Sequence, residues 1–336
     1  MAKAGTFINY GEIATTFDCR PVQNGVVFGP PLLDTQVKRA IMFTTLCTPQ
    51  HTISFIGPSI LYCFEGLFLP PPMRIPLFSR LLPILICSLT LIFAVSGQCL
   101  RDQRTSLLEL KSNLKFNSTL STKLVRWNES VDCCSWEGVT CSEGCVVGLY
   151  LDNESIFGKL DNSSSLFHLH CLQELSLANN YFTDSYIPPE FGTLTNLSYL
   201  NLSNAGIIEQ IPIEISRLTS LVTLDLSINK LDLKNPNLAM LVQNLTRLTE
   251  LYLDGIPISL QGKEWCQALS SSLPNLKVLS MSYCNLQGPP DSSLLKLQSL
   301  SIINLNLNNF NAPVPEFFAD FKNLTSLNLS YCGLNG

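Results

Sequence analysis

The chain has 336 residues, and its 26 aspartates and glutamates outnumber its 21 lysines and arginines, giving a formal net charge of −5. This balance argues against a nucleic-acid binder, which needs a basic surface. Hydrophobic residues make up 46 %, enough for a core, which argues against a disordered chain. Only 14 % of the residues are charged, against about 25 % in an ordinary soluble domain, and the chain holds 13 cysteines.

Residues 1–72 form a segment without a periodic apolar pattern. The segment carries eight charged residues and is interrupted by Pro30-Pro31 and by a second proline run at 70–72. Proline breaks regular structure. We expect 1–72 to be disordered, or to be an upstream extension of the gene model that is not translated.

Residues 73–97 have the three parts of a secretory signal peptide. Arg74 and Arg80 form a positive start, 81–95 an apolar middle and 94–97 a small-residue end. The apolar run of about 15 residues is shorter than the roughly 20 that cross a bilayer. A signal anchor or a buried helix is the alternative. We interpret Met73 as the true start, and tryptic peptides from 1–72 in the mature protein would contradict this.

Residues 98–145 combine a helical pattern with clustered cysteines and tryptophans. Leucines at 107, 110 and 114 have helical spacing, with Asp102 as a candidate N-cap, and the chain then reads CCSWEGVTC over 133–141. This pattern resembles the N-terminal cap of plant leucine-rich repeats, and a solenoid needs a cap to cover its first strand. The resemblance implies the disulfides Cys99–Cys133 and Cys134–Cys141, which fit secretion. A zinc site is the alternative, although the usual Cys-x2-Cys pairs are absent.

From Val146 onward the chain repeats the template Leu-x-x-Leu-x-Leu-x-x-Asn/Cys, the leucine-rich repeat. Eight copies begin at 146, 172, 197, 221, 248, 276, 300 and 324. In each copy Leu-x-Leu places alternate side chains on one face of a short strand. Neighbouring copies must stack to bury that face. Cys284 and Cys332 occupy the ninth position, where we expect a structural role in turning the chain out of the strand.

Ile-Pro or Val-Pro steps after the strands, at 187–188, 211–212 and 314–315, resemble the plant-specific repeat Leu-x-Gly-x-Ile-Pro. The copies at 221 and 248 lack this step and carry three or four extra residues, which should bulge on the convex side. The predicted fold is therefore an α/β leucine-rich-repeat solenoid. It has a curved parallel sheet on the concave side, an irregular or 3-10 convex side, a disulfide-bonded helical cap, and about eight repeats over 146–336.

Cys145 and Cys171 each lie one residue before the first apolar position of a copy. Equivalent positions of adjacent strands are about 5 Å apart. That distance suits a disulfide, whose Cα atoms usually lie about 4.4–6.8 Å apart. We predict a bridge between these two cysteines. Two buried free thiols are the alternative, and peptide mapping without reduction distinguishes the two.

No set of residues in the sequence has the pattern of a catalytic centre. The chain has no H-E-x-x-H, no phosphate-binding loop and no G-x-S-x-G motif. His168 and His170 lie close to Cys171, but such short clusters are usually incidental. The sequence therefore predicts no enzyme activity, no cofactor and no metal site.

Function in a solenoid is expected on the concave face, formed by the variable residues between the leucines. Here that face is polar, mildly acidic and dotted with tyrosine, which is favoured as an interface anchor. It lacks the basic residues that nucleic acid requires. The candidate ligand-binding residues are Tyr150, Glu174, Tyr199, Asp225, Glu250 and Tyr252.

Asn-x-Ser/Thr signals are dense after the signal-like segment, which indicates a secreted glycoprotein. Two of them fall inside strands on the concave side, at Asn201 and Asn328, where an unmodified polar residue is the alternative. All nine signals lie at Asn117, Asn128, Asn153, Asn162, Asn196, Asn201, Asn244, Asn323 and Asn328.

Three stretches resemble plant receptor-like proteins of the Verticillium-wilt-resistance type: 73–116, the CCSWEGVTC motif, and 262–289 (GKEWCQALSSSLPNLKVLSMSYCNLQGP). The resemblance covers 73–336. It implies an immune receptor in the plasma membrane with an extracellular solenoid, one membrane helix and a short tail. Such a receptor binds a microbial protein, peptide or glycan and signals through partner receptor kinases.

The chain departs from this family in its extra 1–72 and in stopping at Gly336 inside a repeat, so we expect an N-terminal fragment. One alternative is a secreted inhibitor of microbial wall-degrading enzymes, similar to polygalacturonase inhibitors. A second alternative is a non-functional truncated product.

Overall fold

The computed structural model describes residues 98–161 and 164–335. The predicted extension 1–72 and the signal-like segment 73–97 lie outside these residues, as does the predicted glycosylation signal at Asn162.

The cap begins with helix α1 (Arg101–Asn113), followed by the short strand β1 (Lys115–Phe116). Leu107 and Leu110 lie in the core, as their helical spacing predicted. The prediction of Asp102 as N-cap was wrong, because the helix begins at Arg101 and the preceding Leu100 is the N-cap. Asp102 lies in the first turn, where a carboxylate still interacts favourably with the helix dipole.

Two tryptophans and one antiparallel strand complete the cap. The rings of Trp127 and Trp136 stack with centroids 5.0 Å apart, and both are buried. Strand β2 (Val139–Ser142) pairs antiparallel with β3 (Cys145–Tyr150), which is the first strand of the repeats. The cap thus covers an edge of the sheet that would otherwise expose unpaired backbone groups.

Each leucine-rich copy contributes one strand to a nine-stranded sheet, with β2 at one edge and β14 at the other. The strands from β3 to β14 in this sheet run parallel, and their residues align in register. The strands after β3 are β4 (Ile156–Gly158), β5 (Glu174–Ser176), β6 (Tyr181–Phe182), β7 (Tyr199–Asn201), β8 (Ile208–Gln210), β9 (Thr223–Asp225), β10 (Lys230–Asp232), β11 (Glu250–Tyr252), β12 (Val278–Ser280), β13 (Ile302–Asn304) and β14 (Ser326–Asn328).

Two smaller sheets flank the main one, and the sequence did not predict them. Strand β4 pairs antiparallel with β1 and parallel with β6. Strands β8 and β10 pair in parallel. The first of these sheets ties the cap to the first two repeats, because β1 belongs to the cap.

Short helices form the opposite, convex side, as predicted. Five copies carry 3-10 helices there: Ser165–His168, Pro189–Thr193, Ile213–Arg217, Ser292–Lys296 and Glu316–Asp320. The two long copies form α-helices instead, α2 (Leu238–Val242) and α3 (Gly262–Ser272). The residues expected to bulge therefore fold into regular structure, and α3 starts with a capping box between Gln261 and Glu264.

The structure pairs six cysteines as Cys99–Cys133, Cys134–Cys141 and Cys145–Cys171, with Cα–Cα distances of 5.6, 5.5 and 6.1 Å. The sulfurs of Cys99, Cys133 and Cys134 lie within 4.8 Å of one another, which is the spacing that a zinc site would need. Disulfide bonds engage all three sulfurs. Cys266, Cys284 and Cys332 are buried thiols.

The ninth position of each copy joins neighbouring repeats through hydrogen bonds. The buried side-chain amide of Asn229 donates to the carbonyls of Leu202 (2.8 Å) and Leu226 (3.0 Å). Its Oδ1 accepts from the N–H groups of Ala205 and Ile207, both at 3.1 Å. One side chain thus satisfies backbone groups of two repeats, which explains why the template demands asparagine there.

Cysteine fills the same position in two later copies. The Cys284 thiol donates to the carbonyl of Leu253 at 3.1 Å, and the Cys332 thiol donates to that of Leu305 at 3.0 Å. Both side chains are buried. The structural role that the template gives to these cysteines is therefore visible in their contacts. Burial raises the pKa of the Cys284 thiol to about 12, so it stays protonated as a donor.

In the first copy the ninth position holds Glu154, which the template does not predict. Its side chain is fully buried, and its carboxylate joins the first repeat to the cap. The donors are the hydroxyls of Ser121 and Thr122 and the backbone N–H groups of Lys123 and Leu124.

Candidate ligand-recognition face

The concave face consists of the outward side chains at the third, fifth, seventh and eighth positions of each copy. The structure brings all six predicted ligand-binding residues onto this face, on five neighbouring strands from β3 to β11 of the main sheet. Glu174 aligns with Tyr199, and Asp225 aligns with Tyr252. All six are half-buried, so each side chain is held by neighbours and still reaches solvent.

Hydrogen bonds hold the tyrosines of the concave face in place. The Tyr150 hydroxyl donates to the Glu174 carboxylate, and the Tyr252 hydroxyl donates to the Glu250 carboxylate at 3.2 Å. The Tyr199 hydroxyl accepts from the Asn201 amide at 3.2 Å. These aromatic rings lose little freedom when a ligand binds, which favours their use as anchors.

Carboxylates cluster in the middle of the concave face. Among the described residues, none of Glu174, Asp225, Glu250 and Asp254 forms an ion pair. Burial raises the pKa of Tyr252 to about 12, and the Glu250 and Asp225 charges add to the effect. Burial also raises the pKa of Asp254, with a smaller contribution from Asp225. In the described part of the chain, these carboxylates therefore have no ion-pair partner.

Asp254 belongs to this cluster, although the sequence analysis did not select it. Its carboxylate accepts hydrogen bonds from the Ser280 hydroxyl (2.8 Å) and from the N–H of Ser282 (2.6 Å). It lies at the seventh position of its copy, whereas the six predicted residues lie at third and fifth positions. The seventh position of the template also faces outward, and this feature of the sequence could have identified Asp254.

The eighth position of each copy has a left-handed backbone. It is asparagine in the first three copies, Asn153, Asn179 and Asn204, with φ of 57°, 53° and 48°. Of the five later copies, one has Gly255 there and four have large apolar side chains. Ile228, Tyr283, Leu307 and Tyr331 have exposed fractions of 66, 70, 47 and 83 %, with φ between 54° and 57°.

Replacing Ile228 with asparagine should stabilise the protein by about 1 kcal/mol, because asparagine tolerates the left-handed backbone that a β-branched residue resists. The midpoint of chemical denaturation measures this. Ile228→Val is the matched control and should bring no gain, since valine is also β-branched. A loss of stability in Ile228→Asn would show that the exposed isoleucine contributes more by packing than its backbone costs.

The predicted glycosylation signals divide into two groups by position. Asn201 and Asn328 lie half-buried on strands of the main sheet, whereas six others are exposed elsewhere. The exposed six are Asn117, Asn128, Asn153, Asn196, Asn244 and Asn323. Their modification stays a prediction. Within the described part of the chain, no helix is both long and apolar enough to cross a membrane.

Family comparisons agree with this architecture. Residues 100–142 match the family described as leucine rich repeat N-terminal domain, and residues 171–194 and 274–334 match leucine rich repeat families. Among solved structures, the chain is similar to PEPR1–AtPEP1, with 28 % identity, a TM-score of 0.55, and coverage of 68 % of this chain and 31 % of that one. It is also similar to the Arabidopsis receptor kinase HAESA in complex with the peptide hormone IDA and the co-receptor SERK1. The identity there is 27 % and the TM-score 0.55, over 68 % of this chain and 41 % of that one.

Similar sequences are plant receptor-like proteins. Receptor-like protein 6 of Arabidopsis thaliana is 33 % identical over 268 residues, which are 70 % of this chain and 26 % of the relative. Receptor-like protein Cf-9 of Solanum pimpinellifolium is 31 % identical over 241 residues, 66 % of this chain and 27 % of the relative. The chain thus spans about a quarter of the length of these relatives. The narrower Verticillium-wilt-resistance type stays a prediction. The chain therefore carries leucine-rich repeats behind a matching N-terminal domain, and it is similar to plant receptor-like proteins.

Proposed function

We propose that this chain is part of the extracellular region of a plant receptor-like protein, and that it recognises a microbial ligand in defence through its concave face. The observation that carries the proposal is the alignment of tyrosines and uncompensated carboxylates on adjacent strands from β3 to β11. Asp225 and Asp254 interact electrostatically on adjacent strands, and neither has an ion-pair partner among the described residues, so this face offers negative charge to a ligand.

We infer that the chain enters the secretory pathway and then lies on the outer side of the plasma membrane. The signal-like segment 73–97, the glycosylation signals and the three disulfides support this location, since disulfides persist in oxidising compartments. It also assigns no catalytic step to the chain: the concave face contributes binding groups, and partner receptor kinases would transmit the signal. HAESA, with its peptide hormone and its co-receptor, is a related precedent for such partners.

The test uses the chain, secreted from plant cells, as a soluble decoy. Culture filtrates from a panel of microbial plant pathogens are incubated with the purified chain and then applied to leaves that respond with an oxidative burst. We expect the chain to reduce the burst for at least one filtrate, and to leave the polygalacturonase activity of the filtrates unchanged. Reduced polygalacturonase activity would instead support the inhibitor function, and no effect on any filtrate would contradict both functions.

Two glycan variants locate the binding face. Asn306→Ser creates a glycosylation signal at Asn304 on β13, and serine already occupies the equivalent position at Ser203 and Ser282. The matched control, Arg217→Asn, creates a signal with Thr219 on the convex side. The proposal requires Asn201 and Asn328 to be unmodified, and mass spectrometry verifies this and the added glycans. We then expect Asn306→Ser to lose the decoy effect and Arg217→Asn to keep it. Loss in the control alone would place binding on the convex side.

A further inference from the structure

A small sheet beside the main one carries two exposed aromatic side chains next to each other. This flanking sheet consists of β1 from the cap, β4 from the first repeat and β6 from the second. Phe157 on β4 is 44 % exposed, and it aligns with Tyr181 on β6, which is 68 % exposed. Their chain neighbours Ile156 and Phe182 are buried. Single exposed apolar residues are common on protein surfaces, whereas two aligned aromatic rings form a patch that can bind a ligand.

The register of the flanking sheet brings a glycosylation signal to this aromatic pair. Lys115 on β1 aligns with Phe157, and the N–H of Asn117 donates to the carbonyl of Ser155 at 3.2 Å, which continues the pairing beyond β1. Residues two apart on a strand lie on the same face, so Asn117 shares the exposed face of Lys115. Diagonal neighbours on paired strands lie about 7–8 Å apart. The side chain of Asn117 and one attached sugar ring can therefore reach Phe157.

The side chain of Asn117 is held by its oxygen, and its nitrogen is left available. Oδ1 accepts hydrogen bonds from the N–H (3.0 Å) and the hydroxyl (2.7 Å) of Thr119. Nδ2, the atom to which an N-linked glycan is attached, has no hydrogen bond among the described residues, and Asn117 is exposed. By contrast, the Nδ2 groups of Asn128 and Asn196 donate to backbone carbonyls at 3.0 and 2.9 Å. The contacts of Thr119 thus fix the amide and leave Nδ2 free to carry a sugar.

The chemistry of an N-linked glycan fits the aromatic pair. Its first two sugars are N-acetylglucosamine, and each ring presents a row of C–H groups on one face. The face of an aromatic ring carries partial negative charge, which attracts these polarised C–H groups. The strand order is β1, β4, β6, with neighbouring strands about 4.8 Å apart. A glycan that starts at Asn117 and follows this order therefore meets Phe157 first and Tyr181 second.

We propose that Asn117 carries an N-linked glycan whose first two N-acetylglucosamine rings stack on Phe157 and Tyr181. The donor is an oligosaccharide linked to a lipid diphosphate. Nδ2 forms a bond to C1 of the first sugar and releases one proton, and the lipid diphosphate leaves C1 with the bonding electrons.

The stacked glycan covers and stabilises the sheet that ties the cap to the first two repeats. The strands of this sheet have only two or three residues, and such short strands depend on additional packing. This inference goes beyond ligand recognition, and it shares with the proposed function only the passage through the secretory pathway.

The first test compares two variants of the full chain secreted from plant cells. Thr119→Ala removes the glycosylation signal and keeps Asn117, whereas Thr119→Ser keeps the signal. Mass spectrometry of glycopeptides measures the occupancy of Asn117, and hydroxyl-radical footprinting measures the exposure of the aromatic pair. We expect Thr119→Ala to raise the reactivity of Phe157 and Tyr181 several-fold, and Thr119→Ser to leave it unchanged. Tyr283, which is exposed outside this sheet, should react equally in all three chains.

The second test is a double-mutant cycle on thermal stability. Thr119→Ala should lower the melting temperature by about 2–4 °C when residue 157 is phenylalanine, because the stacked sugars are lost. The loss should be smaller in the Phe157→Val background, since valine suits a strand but offers no ring. Loss of the Thr119 hydroxyl is common to both backgrounds and cancels. Thr246→Ala, which removes the exposed signal at Asn244, is the matched control and should have the same effect in both backgrounds.

Three outcomes would overturn the inference. An unmodified Asn117 in a chain that is glycosylated at other signals would do so and leave the proposed function standing, whereas a secreted chain without any glycan would also remove one support for its location. Unchanged reactivity of the aromatic pair in Thr119→Ala would refute the stacking. If Asn153→Gly exposed the pair and Thr119→Ala did not, the neighbouring glycan at Asn153 would be the occupant; glycine already stands at the equivalent Gly255.

Discussion

Replacing Glu154 with alanine is expected to lower the free energy of unfolding by about 4 kcal/mol, which is a large part of the stability of a domain of this size. The carboxylate is fully buried, and it accepts hydrogen bonds from two hydroxyls and two backbone N–H groups of the cap. Alanine leaves the buried donors of Ser121 and Leu124 without their partner, and it removes one of the contacts between the cap and the first repeat.

The pH dependence of stability separates the carboxylate's role from simple packing. Burial alone would raise the pKa of Glu154, but its hydrogen bonds with Ser121, Leu124, Lys123 and Thr122 outweigh burial and leave the pKa below its usual value. A carboxyl with a lowered folded-state pKa contributes stability above its unfolded pKa, about 4.3 for glutamate, and loses it as the pH falls through the folded value.

The measurement is chemical denaturation between neutral pH and about pH 3, where the unfolded-state carboxyl is protonated. We expect Glu154→Gln to be less stable than the unchanged chain at neutral pH and to show a smaller loss on acidification. Glu129→Gln, at an exposed position, is the matched control and should behave like the unchanged chain. Identical acid sensitivity in Glu154→Gln and the unchanged chain would contradict the role of this carboxylate.

Replacing Asn229 with alanine should cost about 3 kcal/mol, the second largest effect that we expect. The substitution removes the partner of the N–H groups of Ala205 and Ile207 and of the carbonyl of Leu202, in a region that is buried from water. An unsatisfied buried backbone group costs roughly 1–3 kcal/mol, and partial relaxation reduces the sum. The loss should appear as a lower midpoint of denaturation.

Two further variants test the reason for that loss. Asn229→Cys should recover part of the stability, because Cys284 and Cys332 donate to carbonyls from the same position in other copies. Asn113→Ala, at the exposed end of α1, should change the free energy of unfolding by less than about 0.5 kcal/mol. If Asn229→Ala were as harmless as Asn113→Ala, the ninth position would not hold the repeats together.

The repeated strands and the ninth-position hydrogen bonds were predictable from sequence because each depends on one short pattern. Leucines at fixed spacing must face the core, so the register of the main-sheet strands from β5 to β14 follows from counting residues. The spacing of Cys145 and Cys171 likewise led to the pairing that the structure contains. These features needed no knowledge of distant contacts.

Features that depend on contacts between distant segments were not predictable in this way. Glu154 binds cap residues about 30 positions earlier, and the flanking strands β4 and β6 are too short to show a pattern. Helices α2 and α3 pack against each other and against neighbouring convex helices. This packing explains why the extra residues of these two copies form helices and not irregular bulges.

Hydroxyl-radical footprinting of the secreted chain tests its recognition through the concave face most directly. The chain is oxidised alone and with the filtrate fraction that it depletes in the decoy assay, and the modification of each tyrosine is measured by mass spectrometry. Ligand binding should protect Tyr199 and Tyr252 on the concave face, and leave Tyr181 and Tyr186, which lie outside it, as reactive as before. Protection of Tyr181 or Tyr186 without protection of Tyr199 and Tyr252 would contradict recognition by this face.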